Sequence, residues 1–79
     1  MVYFVTWFCH NATNDGWAYK VENKYTSYDA ALKMFYSQLE SKIDGPTYDI
    51  VTVMITDGSG NVNKSETWIR QTSPETNEE

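Results

Sequence analysis

Apolar positions along this chain follow two periods, one of two residues and one near 3.6. Residues 2–9, VYFVTWFC, are apolar at both parities and rich in β-branched and aromatic side chains. That pattern predicts a strand buried on both faces rather than a helix. Asn11, Asn14, Asp15 and Gly16 then signal a turn, and His10 is expected to begin its loop. Over residues 17–24 the pattern alternates: Trp17, Tyr19 and Val21 share one face, while Lys20, Glu22 and Lys24 share the other. This predicts a half-buried strand, antiparallel to the first across a short hairpin loop.

The period then changes. Tyr28, Leu32, Phe35, Leu39 and Ile43 recur at helical spacing, with Ala31 and Tyr36 widening the stripe and Lys33, Ser37, Glu40 and Ser41 lying away from it. Thr26 and Ser27 are N-cap candidates, and Thr26-Ser27-Tyr28-Asp29 fits a capping box with Asp in place of Glu. Asp29 also suits the positive end of the helix dipole. Gly45 and Pro46 end the helix in the expected order. Residues 48–56, YDIVTVMIT, form a third strand apolar on both sides, and Asp57-Gly58-Ser59-Gly60-Asn61 reads as a tight hairpin turn. Residues 62–69 make the last strand, with Lys64 and Glu66 on one face alongside Val62 and Trp68.

The fold class that follows is α+β, in ββαββ order. Strands one and three, apolar on both faces, belong in the centre of the sheet. Strands two and four carry charges, which suits edges and discourages edge pairing. The order 2-1-3-4 makes the sheet wholly antiparallel, with the helix on one face. A helix of about 16 residues is roughly 24 Å long, enough to shield one side only. Val51, Val53 and Ile55 are expected to meet it. Several large side chains then remain on the uncovered side, and a contiguous exposed apolar patch marks an interface.

Composition narrows what that interface could meet. The chain has 79 residues, enough for one domain, expected over residues 1–70. Residues 71–79 are polar, acidic and interrupted by Pro74, and are expected to form a disordered tail. A domain this small has a thin core and often gains stability from a disulfide, a metal or oligomerisation. One cysteine, Cys9, excludes an internal disulfide, and with the single His10 it cannot supply the usual closed zinc sets. Packing and self-association remain. Aromatics are 15% of the chain, and large rings give the most burial per residue. The net charge of −5 opposes binding to phosphate backbones and anionic lipid, and permits basic protein partners. The apolar start of the chain lacks a basic n-region and turns polar after Cys9, so neither a signal peptide nor a membrane span is expected. The free cysteine suits the cytoplasm.

Candidate chemistry is sparse. Cys9 and His10 are adjacent on a strand and point to opposite faces, so they do not form a dyad, and no second histidine serves as base. The 57–61 turn lacks the acidic spacing of a calcium loop and the Lys-Ser/Thr ending of a phosphate loop. Asn11-Ala12-Thr13 and Asn63-Lys64-Ser65 match the glycosylation triplet, which matters only on secretion. Asp29, Asp44, Asp49 and Asp57 lie on different elements and read as cap, helix end, strand flank and turn. Aromatics on an open sheet also serve single-stranded nucleic acid, but such platforms need a basic rim, and here six Lys and Arg face eleven acids. No enzyme activity, cofactor or metal is expected.

The Trp7-Phe8 pair, the helix opening Tyr28-Asp29-Ala30-Ala31-Leu32 and the run from Val51 through Thr56 to Asp57-Gly58 resemble short uncharacterised proteins encoded in phages and mobile elements of Firmicutes. The resemblance spans residues 2–69 and rests on structural motifs. It implies a non-enzymatic accessory protein acting on a host protein, and assigns no catalytic residue.

The function expected is therefore a small protein-binding module. It would form a homodimer or dock an unidentified protein through the uncovered sheet face. Tyr3, Trp7, Trp17, Tyr19 and Trp68 are the candidate contacts, because Trp and Tyr dominate binding hot spots. The alternative is an acidic nucleic-acid mimic that inhibits a basic host protein, which requires the carboxylates to cluster on one surface.

Overall fold

A computed structural model of the chain describes residues 1–70, so the tail expected at 71–79 lies outside the described residues. The elements are β1 (Tyr3–Asn11), β2 (Gly16–Tyr25), α1 (Tyr28–Ile43), β3 (Tyr48–Asp57) and β4 (Val62–Ile69). They form one antiparallel sheet in the order β2-β1-β3-β4, with α1 packed on one face, as the strand patterns predicted. β1 runs two residues further than its apolar run, so His10 is a strand residue and not the start of the loop.

The core is the layer between helix and sheet. Val5, Trp7 and Cys9 from β1 meet Val51, Val53 and Ile55 from β3, under Ala31 and Phe35 of α1. These strand residues alternate in sequence because successive side chains point to opposite faces. Val51, Val53 and Ile55 are the set expected to meet the helix, and all three are fully buried. Tyr28, Leu32 and Leu39 close the margin of the same layer. Tyr36, expected to widen the helical stripe, is instead mostly exposed.

The helix is capped one residue later than the capping-box pattern suggested. Ser27 is the N-cap, and its hydroxyl accepts from the Ala30 amide at 3.3 Å. Asp29 therefore lies in the first turn, near the unpaired amides, without closing a box. Gly45, at φ +86°, turns the chain out of the helix in a conformation other residues resist. Arg70 then ties this exit down. Its guanidinium donates to the carbonyls of Gly45 and Tyr48, the latter at 3.0 Å from Nη2.

Three one-residue register slips interrupt the ladders. One lies in β2 opposite Val5, one in β3 at Asp49 and one in β4 at Asn63. Each reverses which side chains face the helix beyond it. The slip at Asn63 puts Val62 on the face away from Lys64, Glu66 and Trp68, which corrects the shared face expected from simple alternation. It also lets the Asn63 side chain donate to Asp57 Oδ2 at 3.4 Å.

Asp57 holds the β3–β4 turn. Its Oδ1 accepts from the Ser59 amide at 2.9 Å and the Asn61 amide at 3.1 Å. Next to it, the Gly58 amide donates to the Val2 carbonyl at 2.8 Å. The carboxylate is buried and spent on the turn, as an Asx-type hairpin requires. Replacing Asp57 with alanine orphans these amides and is expected to cost about 1–3 kcal/mol. A urea titration should show a lower midpoint at unchanged slope.

Candidate functional site

The face opposite α1 has no covering element among the described residues. β1 contributes Phe4, Thr6, Phe8 and His10, and β3 contributes Ile50, Thr52, Met54 and Thr56. Outside β1, β2 places Trp17, Tyr19 and Val21 opposite His10, Phe8 and Thr6. Outside β3, β4 places Ile69, Thr67 and Ser65 opposite Ile50, Thr52 and Met54.

The alternation in β2 thus has the opposite sense to a half-buried strand. Its apolar residues point to the open side, while Lys20 and Glu22 point to the helix side. Tyr19 is 79% exposed and Trp17 55%, and Val21 and Ile69 are exposed as well. The apolar surface is continuous: the Phe8 and Trp17 rings lie 6.1 Å apart, and Tyr19 sits directly across from Phe8. Thr52 and Thr67 bond to each other through their hydroxyls at 3.0 Å, which removes two polar groups from the middle of the face.

Of the candidate contacts, Trp17 and Tyr19 lie on this open face. Trp7, Tyr3 and Trp68 do not. Trp7 is 7% exposed and belongs to the core on the helix side. Its indole N–H donates to Glu22 at 2.7 Å, and Lys42 lies 4.2 Å above its ring. Tyr3 packs on Tyr28 edge-on at 5.4 Å, and Trp68 packs beside the core under Arg70. The physical reason is parity: each shares a face with Val5 or Val51.

Charge is nearly absent from the open face. Lys24, brought there by the slip in β2, marks one end. A cluster missed by sequence reading marks the other. His10 Nε2 lies 2.7 Å from Asp15 Oδ1, and its Nδ1 lies 2.7 Å from Asp49 Oδ1. The imidazole also contacts the Trp17 ring at 4.9 Å. Asp15 is presented by the hairpin turn at φ +57°, a conformation Asp tolerates better than most residues. Asp49 is the extra residue of the slip in β3.

Both partners of His10 are carboxylates, so both ring nitrogens donate and the imidazolium form is favoured. The bonds to Asp15 and then Asp49 raise the His10 pKa above its ordinary 6.5, against a smaller opposing effect of burial. A raised folded-state pKa means that the stabilisation is complete below about 6.5 and disappears as pH rises through the folded value. Urea midpoints should therefore fall from mildly acidic to alkaline pH, and His10→Gln should flatten that dependence. Salt should shrink the effect, because Asp15 is almost wholly exposed.

Cys9 is on the opposite side of β1, fully buried, and burial pushes its thiol pKa up despite the nearby Lys42. Neither residue of the Cys9-His10 pair is thus placed to activate the other. Among the described residues no His, Cys, Asp and Glu group is arranged to hold a metal ion, and no helix is long and apolar enough to cross a membrane. No protein-family model matches the chain, and no similar protein was found among curated proteins or solved structures.

Proposed function

We propose that this chain is a small, non-catalytic protein-binding module that works through its helix-free sheet face. One observation carries the reading: all four strands present apolar side chains to the open face, interleaved with hydroxyls, with formal charge only at its ends. Leaving such a surface in water is unfavourable in proportion to its area, and covering it recovers that free energy. Trp17 and Tyr19 are its exposed anchors. The single thiol of Cys9 suits a reducing compartment such as the cytoplasm.

The acid-mimic alternative finds less support. Asp29 and Asp44 flank the two ends of α1, Asp57 is folded into its turn, and Asp15 and Asp49 are held by His10. Glu22 and Glu66 lie on opposite edge strands. Asp15, Asp49 and Asp57 are thus engaged within the fold, away from Asp29, Glu40 and Asp44 of the helix region.

A photo-crosslinking side chain at position 19, in cells producing the chain, tests the module. A covalent adduct to protein is expected there and not from position 33 on the outer side of α1. Equal yields at both positions, or none at 19, would overturn the reading.

A further inference from the structure

We infer that the occupant of the open face is a second copy of this chain, packed sheet against sheet about a two-fold axis that crosses the strands. This rests on the module reading above and names its partner. The first argument is charge. The charged side chains that the strands carry toward this face are confined to its ends, Lys24 at one and the His10, Asp15 and Asp49 cluster at the other. The open face is where two copies meet without opposed carboxylates, because its middle holds only apolar and hydroxyl side chains.

The second argument is area. Four strands spaced about 4.8 Å apart, each about eight residues long, present roughly 500 Å² in projection. Two such faces remove roughly 1,000 Å² from water, the floor for a specific interface, and side-chain relief adds to it. Two twisted sheets stack face to face at about 10 Å with their strands near −30°. The geometry needs no groove, and this face is a sheet surface.

The charged ends select the axis. With the axis across the strands, β2 lies over β2 of the other copy, running the opposite way. Lys24 of one copy then approaches the acidic turn that carries Asp15 in the other. The middle of β2, at Tyr19 and Val21, faces its own counterpart. An axis along the strands would instead set β2 over β4 and leave Lys24 opposite the Val62 end.

The test is solution mass by light scattering across a concentration series. About twice the 9.1 kDa of one chain is expected at the highest concentration. Tyr19→Glu, and separately Ile69→Glu at the far edge, should each return the mass to one chain with an unchanged circular dichroism spectrum. Both side chains are exposed, so the fold does not depend on them. A Tyr19→Cys variant treated with a short bis-maleimide should join to itself, because Cys9 is shielded in the core.

A dimer that survives both glutamate variants overturns the inference by placing the contact elsewhere. A Tyr19→Cys chain that fails to join to itself while still dimeric overturns the axis. A single-chain mass at every concentration overturns self-association. In that case an adduct between position 19 and a different protein leaves the module reading standing, and no adduct removes both.

Discussion

Phe35→Ala is expected to remove most of the stability of this domain. Phe35 is the one large helical side chain that is fully buried. It is seated over the β1–β3 core, with the Tyr36 ring edge-on at 5.2 Å and the Lys64 ammonium 5.4 Å from its centroid. Truncating a buried phenylalanine costs about 3–5 kcal/mol, partly as lost transfer free energy and partly as the cavity left behind. Small domains have about 5–15 kcal/mol in total, and a thin core puts this one toward the lower end. Each kcal/mol moves the melting temperature of a domain this size by about 4–8 °C. Thermal unfolding followed by circular dichroism should therefore show a fall of more than about 12 °C. A fall of under about 5 °C would mean that α1 docks through its margins instead.

The second large effect separates two tryptophans that composition cannot tell apart. Trp7→Ala is expected to cost about 3–5 kcal/mol. It also leaves the Glu22 carboxylate without the indole donor and Lys42 without its ring. Trp17→Ala is expected to cost less than about 1 kcal/mol, since its ring is more than half exposed. Its loss should instead show in association and in the His10 titration, because it touches both the face and the imidazole. Paired urea titrations decide the matter, and comparable destabilisation by the two changes would contradict the assignment of faces.

The contrast between Trp7 and Trp17 shows how far the sequence could be read. The helix and the strand order were legible because period and charge agreed: Leu32, Phe35 and Leu39 recur on one side, and the charged strands took the edges. The set Val51, Val53 and Ile55 was legible as core because all three are branched aliphatics of one parity. Which aromatics faced outward was not, since an aromatic alternating with charge reads as buried whichever side it takes. In β2 that rule inverts, and Trp17, Tyr19 and Val21 point to water.

The His10 cluster was hidden for a different reason. Asp49 reaches His10 from an extra residue in β3, and strict alternation places it on the other side of the sheet. The slip in β2 likewise moves Lys24 to the open face. Such bulges depend on how two distant strands pair, so neither strand alone announces them.

The slips in β2 and β4 have one more consequence, because both lie on the outermost strands of the sheet. A long regular edge is a template for fibril growth, since each added strand exposes another edge like the first. A bulge breaks that template by twisting the edge and misaligning its amides. Stacking of sheet faces, by contrast, uses up the surface that drives it. If the faces stack as proposed, the assembly therefore closes on itself, and the bulged edges oppose one that elongates.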